Sequence, residues 1–140
     1  MVTCVRSRRR GQRGAAAVEF ALLVPILLLL VFGIMDFGYM INRVSMVNNA
    51  ARDGAREASL NGTESEIRDT VLHGVGDLPN VTVAVGCDLA AGGTCGNYDQ
   101  ASSGDTAVVR VDYVHQMITP IGMFFGETID LSRTARMRIE

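Results

Sequence analysis

The chain has no lysine. Its thirteen basic side chains are all arginine, set against fifteen acids and two histidines, for a formal net charge of −2 at pH 7. No chemistry follows from the missing lysine itself, but the arginines are unevenly placed. Residues 1–14 hold Arg6, Arg8, Arg9, Arg10 and Arg13 and no acid, whereas the rest holds eight arginines and every acid. A basic head on an acidic body is a membrane-topology signal and not the footprint of a nucleic-acid binder. Signatures of catalysis are missing too. There is no nucleophile elbow, phosphate loop or paired-histidine metal motif. His73 and His115 fall on different expected elements, and neither stands at a ligand-like spacing from the cysteines. Only three cysteines occur, and the seven residues between Cys87 and Cys95 are unlike the C-x-x-C of oxidoreductases. The expectation is a protein that is not an enzyme, with no catalytic residue, metal, cofactor, small-molecule substrate or nucleic-acid partner.

What is present is a long apolar run. From Ala15 to Met35 the only ionisable residue is Glu19. At about 1.5 Å per residue this run reaches roughly 31 Å, close to the hydrocarbon thickness of a bilayer. Membrane lipid is thus the first expected partner. The flanking arginines place the N-terminus in the cytoplasm, and the far flank opens on Asp36, so the remainder is expected outside the cell membrane. A cleaved secretory signal would have a shorter run followed by a small-x-small site. Here the run is long, and Gly33 to Tyr39 offers no such site. A buried core helix of a soluble protein would need covering elements that the chain lacks. Lipid attachment at Cys4 has no apolar segment before it.

Beyond the run, apolar residues at Ile41, Val44, Val47, Ala51, Ala55 and Ala58 trace one helical face in steps of three and four. Gly54 weakens that helix somewhat. Asn61-Gly62 is a stop signal, and Thr63 with Glu66 has the form of a capping box opening a short helix over 64–75. Three alternating runs follow: Val81–Val85, Val109–Tyr113 and Ile129–Met137. Period-two alternation predicts an antiparallel sheet with one wet face, packed against the emerging helix. The fold class is therefore α+β: a long N-terminal transmembrane helix continuing into a small exported domain with a second short helix and a three-stranded antiparallel sheet. Residues 1–14 form the leader, 15–60 the membrane helix and its exported extension, and 61–140 the exported body. A body of that size buries only a modest core and often needs a staple. Cys87 and Cys95 lie in a glycine- and serine-rich loop, where an exported pair reads as a disulfide, two free thiols being the alternative. The apolar loop from Ile118 to Gly126 reads as core or local packing, with membrane-surface or partner contact as the alternative.

Glu19 is the residue that asks for an explanation. A charged carboxylate at the centre of a bilayer costs about 3 kcal/mol on insertion scales, and less near the interface. It lies one turn into the apolar run, where a helix N-terminus and nearby water tolerate an acid. The other reading supplies a partner. If the chain is cut after Gly14, Ala15 gains a free ammonium group, and Glu19 of one subunit can pair with it on a parallel neighbour. Arg52 and Arg56, beside Asp53 and Glu57, read as solvated helix surface.

The stretch Gly14-Ala15-Ala16-Ala17-Val18-Glu19-Phe20-Ala21-Leu22-Leu23-Val24-Pro25 resembles the signature of the TadE-like family of tight-adherence (Flp) pilus systems. The likeness continues through Gly33, Asp36 and Gly38 to Ala50-Ala51-Arg52-Asp53-Gly54-Ala55-Arg56, about a third of the chain. It implies a minor pilin-like protein, or pseudopilin, of the Flp pilus assembly machinery. Its partners would be other pilin-like subunits, pilus assembly components and a prepilin peptidase. That enzyme would cut between Gly14 and Ala15, and Glu19 with Phe20 would belong to the processing and assembly signal. Processed members often carry tyrosine where this chain has Phe20, and longer members remain uncut anchors. The alternative is an uncleaved, single-pass, membrane-anchored binding module with its domain outside.

Overall fold

The computed structural model of the chain describes residues 11–120 and 122–140. The expected basic leader lies, for residues 1–10, outside the described residues. A single helix, α1, runs from Gly11 to Ser59 and continues through Pro25. It starts four residues before the apolar run begins. Its C-terminus is closed by local chemistry. Asn61 takes a left-handed φ of 61°. Its N–H donates to the carbonyl of Ala58 at 3.2 Å, and that of Gly62 to the carbonyl of Glu57 at 3.2 Å. These paired bonds are a Schellman stop. The Tyr98 hydroxyl also donates to the Ala58 carbonyl at 2.8 Å, and the Glu140 N–H to that of Ser59 at 3.1 Å. The end of the chain is thereby stitched to the end of α1.

Helix α2, Glu64–Val75, opens on the expected capping box. The Thr63 side chain accepts from the Glu66 N–H, and the Glu66 carboxylate accepts from the Thr63 N–H at 2.8 Å. Strands β1 (Val81–Asp88), β2 (Thr106–Gln116) and β3 (Thr128–Arg138) form an antiparallel sheet in the order β1-β2-β3. The register sets Val83 opposite Val111, Val109 opposite Ala135 and Tyr113 opposite Leu131. Each strand is longer than its alternating run, because ladder bonds continue past the last apolar residue. The inward residues of β2 are Ala107, Val109, Val111, Tyr113 and His115, all buried. Helix α1 lies across β2 and β3, and α2 lies beside it against β1.

The buried stripe of α1 is Val47, Ala50, Ala51, Ala55 and Ala58. Ile41, expected on this face, is exposed. The cause is helical phase. At about 100° per residue, six residues carry Ile41 about 120° away from Val47, whereas eleven residues return Asp36 to within about 20° of it. Gly54 is no mere weak point. A Cβ there would fall inside contact distance of Val71 Cγ2 and 3.3 Å from Val109 Cγ1, so its hydrogen is what lets α1, α2 and β2 meet.

Cys87 and Cys95 are joined by a disulfide with their Cα atoms 5.4 Å apart, inside the usual range for such bridges. Beyond it, the buried Asp105 carboxylate accepts the N–H groups of Ala90 and Ser102, each at 2.9 Å. These donors, Ala90 first and then Ser102, hold its pKa below the usual carboxylate value.

Gly54→Val overpacks this three-way contact. It is expected to destabilise the chain by about 1–3 kcal/mol. Gly86→Ala, where a Cβ meets open space, should change stability far less. Denaturant unfolding of the detergent-solubilised chain, followed by circular dichroism, measures both.

Candidate functional site

Two regions of α1 carry the residues with chemistry to explain. The first is its bare half. Gly14, Ala15, Glu19 and Phe20 all sit on the first turns of the described helix, and all are exposed. Ala15 and Glu19 are four residues apart and therefore share one face. None of the most apolar stretch of α1 is covered by the body of the protein, and the helix is long and apolar enough to cross a membrane. The peptide between Gly14 and Ala15 lies within the continuous helix.

The second region is the point where the body first touches α1. Asp36 is the first residue after the apolar run, and it is only 6% exposed. Its carboxylate accepts the N–H of Ile118 at 3.1 Å and of Thr119 at 3.3 Å, together with the Thr119 hydroxyl. Three donors from one loop thus converge on one buried acid. The loop follows β2, whose last inward residue is His115. That imidazole is 1% exposed, and neither ring nitrogen has a hydrogen-bond partner among the described residues. Its ring centre lies 5.6 Å from that of Tyr39 and 6.1 Å from that of Tyr113. One turn along α1, the Arg43 guanidinium sits 4.5 Å over the Tyr39 ring and also donates to the Tyr39 hydroxyl. This is cation–π geometry. Burial is the largest influence on His115 and pushes its pKa down. The Asp36 charge opposes this, and the Arg43 charge adds to it.

A family model described as TadE-like protein matches residues 14–56. This segment of the chain is TadE-like. The match confirms the resemblance read from Gly14 to Arg56 and points to a function related to Tad (Flp) pili. No curated protein and no solved structure matches the chain.

The TadE-like segment contains both regions: Gly14, Ala15, Glu19 and Phe20 at its start, Asp36, Tyr39 and Arg43 in its middle. The two are not brought together. From Glu19 to Asp36 is seventeen residues, about 25 Å of straight helix. Sequence reasoning singled out the first group and gave Asp36 no partner, reading it as a flanking charge and one of the residues of the TadE-like stretch. The donors to Asp36 lie 82 and 83 positions away, so no local pattern announces them. The one available signal was Thr119 and Pro120 interrupting an otherwise apolar loop.

Asp36→Ala leaves two backbone N–H groups and a hydroxyl without their acceptor. It is expected to cost about 2 kcal/mol and to speed amide exchange at Ile118 and Thr119. Hydrogen exchange read by NMR on the full chain in micelles tests this, and unchanged protection at both amides would refute their bonds to Asp36. His115 predicts a pH dependence of opposite origin to the carboxylates. Its folded-state pKa is depressed, so the unfolded chain binds the extra proton first. Stability is complete above the unfolded value of about 6.5 and is lost as pH falls below it toward the folded value. Melting temperatures measured between about pH 7.5 and 5.5 should fall with acid, and His115→Leu should flatten that slope.

Proposed function

We propose that the chain is a minor pilin-like protein, a pseudopilin, that takes part in assembling Flp/Tad-type surface pili. It stands in the cell membrane as a single pass, with residues 1–14 cytoplasmic and the body of residues 61–140 outside. The observation that carries this reading is the TadE-like match, which falls on a helix bare over its apolar half and packed over its other half. A bare apolar helix is free to pack laterally against other such helices in the membrane. Glu19 then has a use. After a cut between Gly14 and Ala15, the new ammonium group of one subunit and the Glu19 carboxylate of its neighbour neutralise each other. A carboxylate otherwise costs up to about 3 kcal/mol in hydrocarbon, so the pair both stabilises the contact and fixes the axial stagger. A dedicated prepilin peptidase is the partner for the cut. The body engages other assembly components. The role is structural and not catalytic.

The second reading is an uncleaved membrane anchor carrying a binding module. Two observations favour it: Phe20 stands where processed relatives often have tyrosine, and the Gly14–Ala15 peptide is held within α1.

Mass spectrometry of the chain extracted from membranes of its own cell separates the two. A mature N-terminus at Ala15, lost in Gly14→Val, is expected for the pseudopilin, whereas a terminus at Met1 or Val2 supports the anchor. Deleting the gene should lower surface piliation several-fold, and Glu19→Ala should do the same. Normal pili in the deletion strain overturn the assembly role.

A further inference from the structure

Two apolar side chains of the body are turned further into solvent than the rest. Ile118 is 65% exposed and Met123, on the short helix α3 (Gly122–Phe125), is 80% exposed. Among the described residues beyond the apolar run, these are the most exposed large apolar side chains. Core packing, the plain expectation for this loop, does not account for either of them.

Their position along α1 does. The loop is tied through the N–H groups of Ile118 and Thr119 to Asp36, the first residue past the apolar run. Its backbone therefore lies within one hydrogen bond of the level at which α1 leaves hydrocarbon. The apolar surface is also continuous across that level. A recess of about 210 Å³ is lined by Gly33 and Phe37 from α1 and by Met117 and Ile129 from the body, and Gly33 belongs to the apolar run itself. Just beyond, Tyr39 and Arg43 pair with each other. Tyrosine is enriched at membrane–water interfaces, and arginine there keeps its charge in the wet layer.

We infer that Ile118 and Met123 form a foot resting in the lipid of the leaflet from which α1 emerges, at the boundary of headgroups and acyl chains. This rests on α1 crossing a bilayer, and it does not depend on cleavage or on pilus assembly. The occupant is lipid because lipid already surrounds the surface that continues into the recess. Insertion works by burying apolar side chains to the shallow depth typical of interfacial segments. It does not rely on attraction to anionic headgroups: Glu127 shares a recess with Met123, and the recess beside Ile118 is lined by Asp77 as well as Arg43. Zwitterionic lipid therefore suffices. With α1 and the foot as two points of support, tilting of the body away from the leaflet is restrained, and the sheet keeps one inclination to the membrane.

The methionines provide the test without any substitution. The full chain, labelled with ¹³C at methionine methyls, is placed in phosphatidylcholine nanodiscs. One sample carries a phosphatidylcholine with a nitroxide near the top of its acyl chain, and another carries a water-soluble gadolinium chelate. Met35 reports on the apolar run, Met123 on the foot, and the exposed Met137, near the far end of β3, on the solvated body. The expected result is relaxation by the lipid probe several-fold stronger at Met35 and Met123 than at Met137, with the reverse order for the soluble probe. If Met123 follows Met137 while Met35 responds to lipid, the foot is overturned and the crossing helix stands. If Met35 also follows Met137, both are overturned.

Discussion

One continuous helix has two kinds of surroundings, none over its most apolar stretch and the body over the rest. The half of α1 that begins the apolar run is bare, and the half after Asp36 is covered by the body. The change occurs at a buried carboxylate that neither hydrocarbon nor an apolar core could hold unpaired. Its three donors come from the loop after β2, and this fixes where β2 must end. The strand is anchored at its other end too, because Thr106 follows the Tyr98 turn and Asp105, which lie near the last turn of α1. The two lengths agree. From Asp36 to Ala58, α1 rises about 33 Å, and eleven residues of strand span about the same. β2 therefore lies along the whole packed half of the helix. Its inward residues, from Ala107 to His115, meet the helix between Ala58 and Asp36.

From Ala50 to Ala58 the buried helix side of that contact is all alanine and glycine. Such a face contributes little area for burial, since each small side chain removes little apolar surface from water. What it provides is close approach. Gly54 lets the γ-carbons of Val71 and Val109 come down onto the helix from two different elements, and the Ala50 Cβ would lie 3.0 Å from a Cβ on Gly74. A body this small compensates for its thin core with fixed points. These are the Schellman stop at Asn61, the capping box of α2, the disulfide, the Asp105 carboxylate and the pinned C-terminal residues Ile139 and Glu140. Each orders a chain end or a loop whose entropy would otherwise oppose folding.

Local signals in the sequence were legible because their physics is local. The apolar run, the Thr63–Glu66 box, the bounds of α2 and the three alternating runs depend on neighbours one to four residues away. Their arrangement as a sheet against the emerging helix follows from the need to hide both apolar faces. The exit cluster was not legible. Asp36 stood out only as a flanking charge within the TadE-like stretch, because its partners are some eighty positions distant. Gly54 read as a weak helix residue, since propensity sees only its own helix and not Val71 above it. Hydropathy alone left the loop of Ile118 and Met123 open between packing and a surface contact, because an apolar residue scores alike in a core and on an exposed face, and both side chains are exposed. His115 gave no sign either: an imidazole in an alternating strand resembles any other inward or outward residue until the strand register is known.

The TadE-like match spans residues 14–56, and the packed face of α1 ends at Ala58. One segment therefore holds two kinds of constraint that act on different faces and at different depths. In its first part, side chains are judged by what surrounds the bare helix, because the body buries none of its most apolar stretch. From Asp36 onward they are judged by the sheet, α2 and the loop that the helix carries. Glu19 and Asp36 show the difference. Both are acids bordering the same apolar run, about 25 Å apart. Asp36 is satisfied within its own chain by three donors, so its charge needs no other molecule. Glu19 stands exposed on the bare helix, and in a membrane a carboxylate so placed favours any neighbour that brings a positive charge to its depth. The fold thus settles one acid internally and leaves the other exposed on the bare helix.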